Sequence, residues 1–182
     1  NLKGIVGLCD GNFTYTKGPM NLLKIIPNIV KKHKNVSFIF ISDGVMRPVM
    51  EDFVKLNQIE DYVVFSGRID LEQVPVVHAD SDIFVFPVLW DEPFSGALVE
   101  AMASGKPIIA SNLGGNREAI VEGKNGFLID PNNLEEFERK LDLLIKDKML
   151  RTRMGKFGRE YAKNFSNEAT AKKIEKIYSA LK

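Results

Sequence analysis

Ile83-Phe84-Val85-Phe86-Pro87-Val88-Leu89-Trp90-Asp91-Glu92-Pro93-Phe94-Ser95-Gly96-Ala97-Leu98-Val99-Glu100-Ala101-Met102 carries more structural information than any other part of this chain. It opens on an apolar strand, Ile83–Pro87, whose unbroken hydrophobicity suits a strand buried on both faces of a parallel sheet. A turn of small residues follows, then a helical pattern that stops at Gly105. At such a strand-to-helix junction the first-turn amides point outward unpaired, which makes an anion site. Glu92 and Glu100, seven residues between them, flank that junction. A helix start that attracts phosphate between two carboxylates calls for a ligand with both phosphate and hydroxyl groups, as a nucleotide-sugar has.

Outward from this stretch, short β-branched runs alternate with amphipathic ones. Strands are predicted at Gly4–Leu8, Val36–Ser42, Tyr62–Ser66, Asp82–Pro87, Pro107–Ser111 and Gly126–Ile129. Helices are predicted at Pro19–Lys32, Val45–Asn57, Pro75–Ala79, Ser95–Ser104, Asn116–Val121 and Leu134–Lys146, with two more at Met149–Lys163 and Asn167–Leu181. Pro19 suits a first helical turn, Gly105 and Gly123 suit C-caps, and Pro27 predicts a kink or an early stop. The repeated alternation predicts an α/β fold: a Rossmann-like parallel sheet of about six strands flanked by helices. The last two helices have no following strand, so they pack outside or reach toward a missing neighbour. Asn1-Leu2-Lys3 leads at once into the first strand, as expected of a fragment of something longer.

Composition narrows the class. The 182 residues suffice for one well-buried domain, and 45% apolar with 27% charged is ordinary for a soluble globular protein. A net charge of +1 gives no electrostatic reason to expect nucleic acid. The one cysteine, Cys9, excludes an internal disulfide framework and fits a reducing, cytoplasmic compartment. No apolar run reaches the roughly 20 residues of a membrane span, and no signal peptide opens the chain. Three Asn-x-Ser/Thr triplets, at Asn12, Asn35 and Asn164, are therefore read as chance.

In a doubly wound sheet ligands bind at the carboxyl ends of the strands, so the turns there hold the candidate residues. Lys17, beside Gly18 after the first strand, can place an ammonium on a diphosphate or be an ordinary solvated lysine. Asp43-Gly44 is read as turn chemistry. Gly67, Arg68 and Ile69 sit where a base or phosphate would lie, with a plain surface arginine as the other reading, and Asp70 suits an N-cap. Amides near Ser95, Gly96 and Ala97 would cap phosphates. Glu100, about one turn into the helix, would accept two hydroxyl hydrogen bonds from a ribose, or is simply a dipole-favoured acid. Glu92 would hold sugar hydroxyls or balance charge at the reacting carbon; a glycosidase acid–nucleophile pair is weaker, because that chemistry has no use for a phosphate-type helix start. Gly114-Gly115 either passes close to ligand or only positions the next helix. Asp80-Ser81-Asp82 falls at the wrong end of the sheet for a metal site, and one cysteine with two distant histidines cannot supply zinc ligands. The absence of a Walker A or Gly-x-Gly-x-x-Gly pattern after the first strand argues against an ATPase or a dehydrogenase.

With these residues in view, the chain resembles the C-terminal, donor-binding domain of a retaining glycosyltransferase of GT-B fold, family 4 (glycosyl transferases group 1). The resemblance is carried by Glu92-Pro-Phe-Ser-Gly-Ala-Leu-Val-Glu100-Ala-Met-Ala-Ser-Gly105-Lys-Pro107. Lys17-Gly18, Asp43-Gly44, Val64–Gly67, Ala79–Ile83, Gly114-Gly115 with Glu118, and Asn125–Leu128 support it by order and spacing. The resemblance implies a nucleoside-diphosphate sugar donor, UDP- or GDP-linked, carrying a hexose. It places Glu100 on the ribose, Glu92 on the transferred sugar, Lys17 with the amides of Phe94, Ser95, Gly96 and Ala97 on the diphosphate, and Gly67–Ile69 beside the base. It implies no metal, no cofactor and retention of configuration, with the acceptor (a glycan or a lipid-linked sugar) and any membrane contact supplied by a missing N-terminal domain. Residues 1–182 would then be a single nucleotide-sugar-binding domain, inactive in isolation. The family's usual arginine after the first-strand glycine is matched here with Leu8, the turn from Gly7 to Lys17 is longer than usual, and Ser95-Gly96 stands where Phe94 is often followed by glycine. The Leu8 departure keeps a second class open, a nucleotide-binding or interaction module without catalysis; a sugar-nucleotide epimerase on the same fold ranks below both.

Overall fold

A computed structural model describes residues 4–180. Six strands, β1 (Ile5–Asp10), β2 (Val36–Ile41), β3 (Val63–Gly67), β4 (Ile83–Phe86), β5 (Ile108–Ser111) and β6 (Gly126–Ile129), form one sheet in the order β3-β2-β1-β4-β5-β6, every pair parallel. The strands carry apolar side chains in both directions because both faces are covered. Cys9, Phe38, Phe40, Val85, Ile109 and Phe127 enter one core; Leu8, Ile39, Ile41, Phe84, Phe86, Ile108 and Ala110 enter the other. The helices α1 (Pro19–Lys32), α2 (Arg47–Leu56) and α6 (Leu134–Lys146) bury apolar side chains in the first core. Helices α4 (Gly96–Ala103) and α5 (Asn116–Ala119) do so in the second, and α3 (Val74–Asp80) packs against it through Val77. Two further helices, α7 (Lys148–Ala162) and α8 (Asn167–Ala180), follow. The doubly wound expectation is met strand for strand.

The differences from the predicted boundaries are local and physical. Strand β1 runs two residues past Leu8, pairing with β2 as far as Asp10 opposite Ile41. Leu8 is fully buried in the second core. It is not the first turn residue, and the unusually long turn from Gly7 shrinks to one starting at Gly11, where Asn12 follows the glycine. Pro27 does not stop α1, which continues to Lys32 because Ile26, Ile29 and Val30 are buried on both sides of it. Gly105 caps α4 as expected: at φ 70° it donates to Met102 O while Lys106 N donates to Ala101 O, a Schellman closure. Gly123 caps nothing; α5 ends at Ala119, and Gly123 sits in the turn before β6, donating to Gly126 O. Helix α7 lies on α4, whereas α8 has no buried residue and exposes Ile174, Ile177 and Tyr178. Asn1–Lys3 and Leu181, on which two of the expectations fall, lie outside the described residues.

A polar clasp joins α1 to α6. Glu138 accepts from Asn28 (2.9 Å) and Lys32 (2.7 Å), and Asp142 pairs with His33 (2.7 Å) and Lys146 (2.7 Å). Partial burial pushes both carboxyls up, but these bonds outweigh it and hold them below the ordinary carboxylate range. The unfolded chain therefore binds more protons in mild acid, so this contribution is present above about pH 5 and is lost as pH falls below about 4. Guanidinium midpoints measured from pH 6 to pH 3 should fall, and the paired substitution E138Q/D142N should flatten that slope.

Candidate functional site at the carboxyl edge of the sheet

Strand order reverses between β1 and β4, so the connections leaving these neighbours run to opposite faces and open a crevice at their carboxyl ends. Lys17 enters it from the β1 side. Its turn is pinned to the chain beyond β4: Leu89 N donates to Thr16 O at 2.7 Å, and a Cβ on Gly18 (φ 64°) would lie 1.9 Å from Pro87 O. From the β4 side comes Glu92, ion-paired with Lys17 and accepting from Trp90 Nε1 at 3.0 Å. The Lys17 ammonium also lies 5.5 Å from the Trp90 ring centre and 5.8 Å from that of Phe86.

Helix α4 begins beside this pair. Ser95 is its N-cap residue, outside the predicted helix start by one position, and its side chain makes no capping bond. No acidic residue occupies the first turn, and the space around Gly96 is open. The first-turn amides thus have no side chain to satisfy them, which leaves a positive helix end facing the crevice. Phe94 is partly exposed and stacks on Phe165 at 5.2 Å, and Ala97 packs against the second core.

The double glycine resolves in favour of scaffolding. Gly115 N donates to Glu92 O (2.8 Å) and Gly114 N to Asp91 Oδ1 (3.0 Å). A Cβ on Gly115 would meet Pro93 O at 1.9 Å. Only bare backbone approaches the Asp91–Pro93 loop this closely, and that loop aims Glu92. Asp43 is turn chemistry, as expected: its Oδ1 accepts from Gly44 N at 2.8 Å, and its Oδ2 lies 3.4 Å from Arg47 Nη1. Asp70 caps a short turn with Gln73. Asp82 Oδ2 accepts from Val6 N (3.0 Å) at the amino end of the sheet, away from the crevice.

At the end of β3, Gly67 O accepts from Ser42 N (2.9 Å), Arg68 is exposed and Ile69 packs against the second core. Gly67–Ile69, at the end of β3, and the Lys17–Glu92 pair, beside β1 and β4, lie on the same carboxyl edge of the sheet. Glu100 does not join Lys17 and Glu92; its carboxylate lies near Asp10 and His78. Asp10, at the tip of β1, and His78, buried in α3, stand beside Glu100 and were not singled out in the sequence reading. The available signals were a carboxylate ending an apolar strand and one ionisable residue directly after the apolar run Val74–Val77. Cys9, next to Asp10, is buried, and burial together with the Asp10 charge pushes its thiol far above the ordinary range, so it is an inert core residue.

The family model for glycosyl transferases group 1 matches residues 2–161. The chain belongs to that family. It is 34% identical over 176 residues to spore coat protein SA of Bacillus subtilis, covering 92% of this chain and 47% of that protein. Sucrose-phosphate synthase of Thermosynechococcus elongatus superposes with a TM-score of 0.87 at 27% identity, over 100% of this chain and 46% of that one. Anabaena Alr3699/HepE in complex with UDP superposes with a TM-score of 0.87 at 23% identity, over 98% and 49%. The chain thus spans about half the length of these relatives. Its sheet and flanking helices are the C-terminal domain architecture of GT-B glycosyltransferases. No helix among the described residues is long and apolar enough to cross a membrane.

Proposed function

We propose that this glycosyltransferase domain binds a nucleoside-diphosphate hexose, UDP- or GDP-linked, and that the whole enzyme transfers the sugar with retention, without a metal or other cofactor, to a glycan or lipid-linked acceptor held by a second domain. The observation that carries the reading is the meeting of Lys17, Glu92 and the uncapped α4 N-terminus at the β1/β4 switch point. HepE, whose domain has this fold, was solved with UDP, which supports a uridine donor here.

In this reading the diphosphate enters against the amides around Phe94–Ala97 and takes Lys17 as its counterion. Breaking the C1–O bond of the sugar leaves negative charge on the departing diphosphate, and a fixed ammonium plus a helix N-terminus stabilise that charge where it forms. Exchange of Lys17 onto phosphate releases Glu92, which then accepts from sugar hydroxyls on the same face as the incoming acceptor. Glu100 holds the ribose hydroxyls, and Gly67–Ile69 borders the base. A binding module without catalysis keeps one argument, moved from Leu8 to Asn12: the residue after the turn glycine is uncharged.

Calorimetric titration with UDP, GDP, ADP and their sugar conjugates tests the site. One diphosphate should bind saturably, and Glu100→Ala should weaken it about 10- to 100-fold, since hydrogen bonds to a charged group are worth roughly 1.5–3 kcal/mol. Unchanged affinity in the variant would remove Glu100 from the ribose. No binding by the folded full-length protein would end the donor-site reading.

A further inference from the structure

His78 is 0% exposed, yet neither ring nitrogen has a hydrogen-bond partner. The Phe84 ring lies against it at 5.1 Å, and its Nε2 points to Asp10 Oδ2 at 3.7 Å, beyond hydrogen-bond reach. A buried imidazole with both nitrogens unsatisfied is costly, because it has given up water and gained nothing polar. Two carboxylates face it. One ligand atom each from Asp10, His78 and Glu100 lies within 4.8 Å of the others, and no other such group occurs among the described residues. Three elements, β1, α3 and α4, deliver them to one point.

We propose that Asp10, His78 and Glu100 form a site for a divalent transition-metal ion of the zinc or cobalt type. One imidazole nitrogen and two carboxylate oxygens are a donor set these ions accept, with the remaining positions left to water. Bonds of about 2.1 Å put tetrahedral donors roughly 3.4 Å apart, so separations now within 4.8 Å must close by up to about 1.4 Å. Glu100 is exposed and free to make that movement, while His78 is held by its burial. The dication would satisfy Nε2 and offset the repulsion between the two carboxylates. Transfer chemistry does not require it. If Glu100 holds the ribose, a consequence that rests on the reading above, an occupied metal site withdraws that carboxylate and lowers donor affinity. Metal would then act as an inhibitor at the nucleotide end of the crevice.

The test begins with the chain stripped by a chelator, then titrated with Co2+ by visible absorption and with Zn2+ by calorimetry. One equivalent should bind saturably and give a cobalt d–d band. His78→Gln and Asp10→Asn should each weaken binding by more than the roughly 10–100-fold that outer-shell partners are worth. Far-UV circular dichroism checks each fold; should H78Q not fold, D10N and Glu100→Gln decide. No stoichiometric binding to the folded wild-type chain, or binding undiminished in the folded variants, overturns the site. UDP titrated with and without one equivalent of Zn2+ reads the competition separately. A metal site that forms without altering nucleotide affinity would stand while Glu100 lost its ribose role, whereas a lost nucleotide site leaves the cobalt band unaffected.

Discussion

Lys17→Met should lower kcat/KM of the full-length enzyme by roughly 10²–10³-fold, the cost of removing one preorganised electrostatic stabiliser of a developing anion. The substitution isolates the charge. The Lys17 ammonium lies 5.8 and 5.5 Å from the Phe86 and Trp90 ring centres, and a methionine of similar length keeps an apolar, polarisable tip against these rings. The turn is held independently, by the Leu89–Thr16 backbone bond and the seating of Gly18 on Pro87, so the fold should not move. In the ligand-free protein the loss leaves Glu92 without its counterion. Steady-state kinetics with the preferred donor reads the effect. The decrease should fall mainly on kcat, because the diphosphate charge grows as the bond breaks. A loss under about tenfold would show that Lys17 does not stabilise the leaving group.

Gly155→Ala should destabilise the domain by about 3 kcal/mol, the upper end of the range for overpacking. Helix propensity alone predicts the opposite sign, a gain of roughly 1 kcal/mol for alanine over glycine inside a helix. Packing decides the outcome. Gly155 in α7 presses on the capped end of α4, where a Cβ would lie 2.0 Å from Gly105 O. That carbonyl belongs to backbone closed by the Schellman bonds, and Arg159 ties the adjacent Ala103 and Ser104 carbonyls at 3.2 and 3.3 Å. Neither helix can yield by a side-chain rotation, so α7 must lift away. For a domain of this size the loss corresponds to a fall in Tm of roughly 6–12 °C. In guanidinium it appears as a lower midpoint with an unchanged slope. A midpoint at or above wild type would show that α7 is not seated on α4 as described.

Much of the candidate site's layout was legible from local signals. The helix start at Ser95-Gly96, Lys17 and Glu92 stand where strand-turn-helix punctuation placed them, because amide direction and turn chemistry depend on neighbours in sequence. Leu8 was misplaced for a related reason. In the run Ile5-Val6-Gly7-Leu8-Cys9-Asp10, the reading stopped the strand where unbroken aliphatic character stopped. The strand actually ends where its partner does, opposite Ile41. Gly114-Gly115 was legible as a tight place without its purpose, since the Asp91–Pro93 backbone it admits lies more than twenty residues earlier in the chain. His78 entered the sequence reading only as one of two histidines distant along the chain; its burial and unsatisfied nitrogens, with Asp10 and Glu100 beside it, appear only in the folded protein.

By itself, then, the sequence determined the alternation of strands and helices, the parallel character of the sheet, and the helix terminus that opens at the carboxyl edge. All three follow from short unbroken apolar runs, from the 3.6-residue helical period and from residues adjacent in the chain. Only the tertiary structure decided that β1 lies beside β4. The same local pattern is compatible with other strand orders; which strands share hydrogen bonds is settled by how both faces of the sheet are covered at once. That single adjacency pairs Lys17 with Glu92 across 75 residues of chain and carries Asp10 to His78 and Glu100.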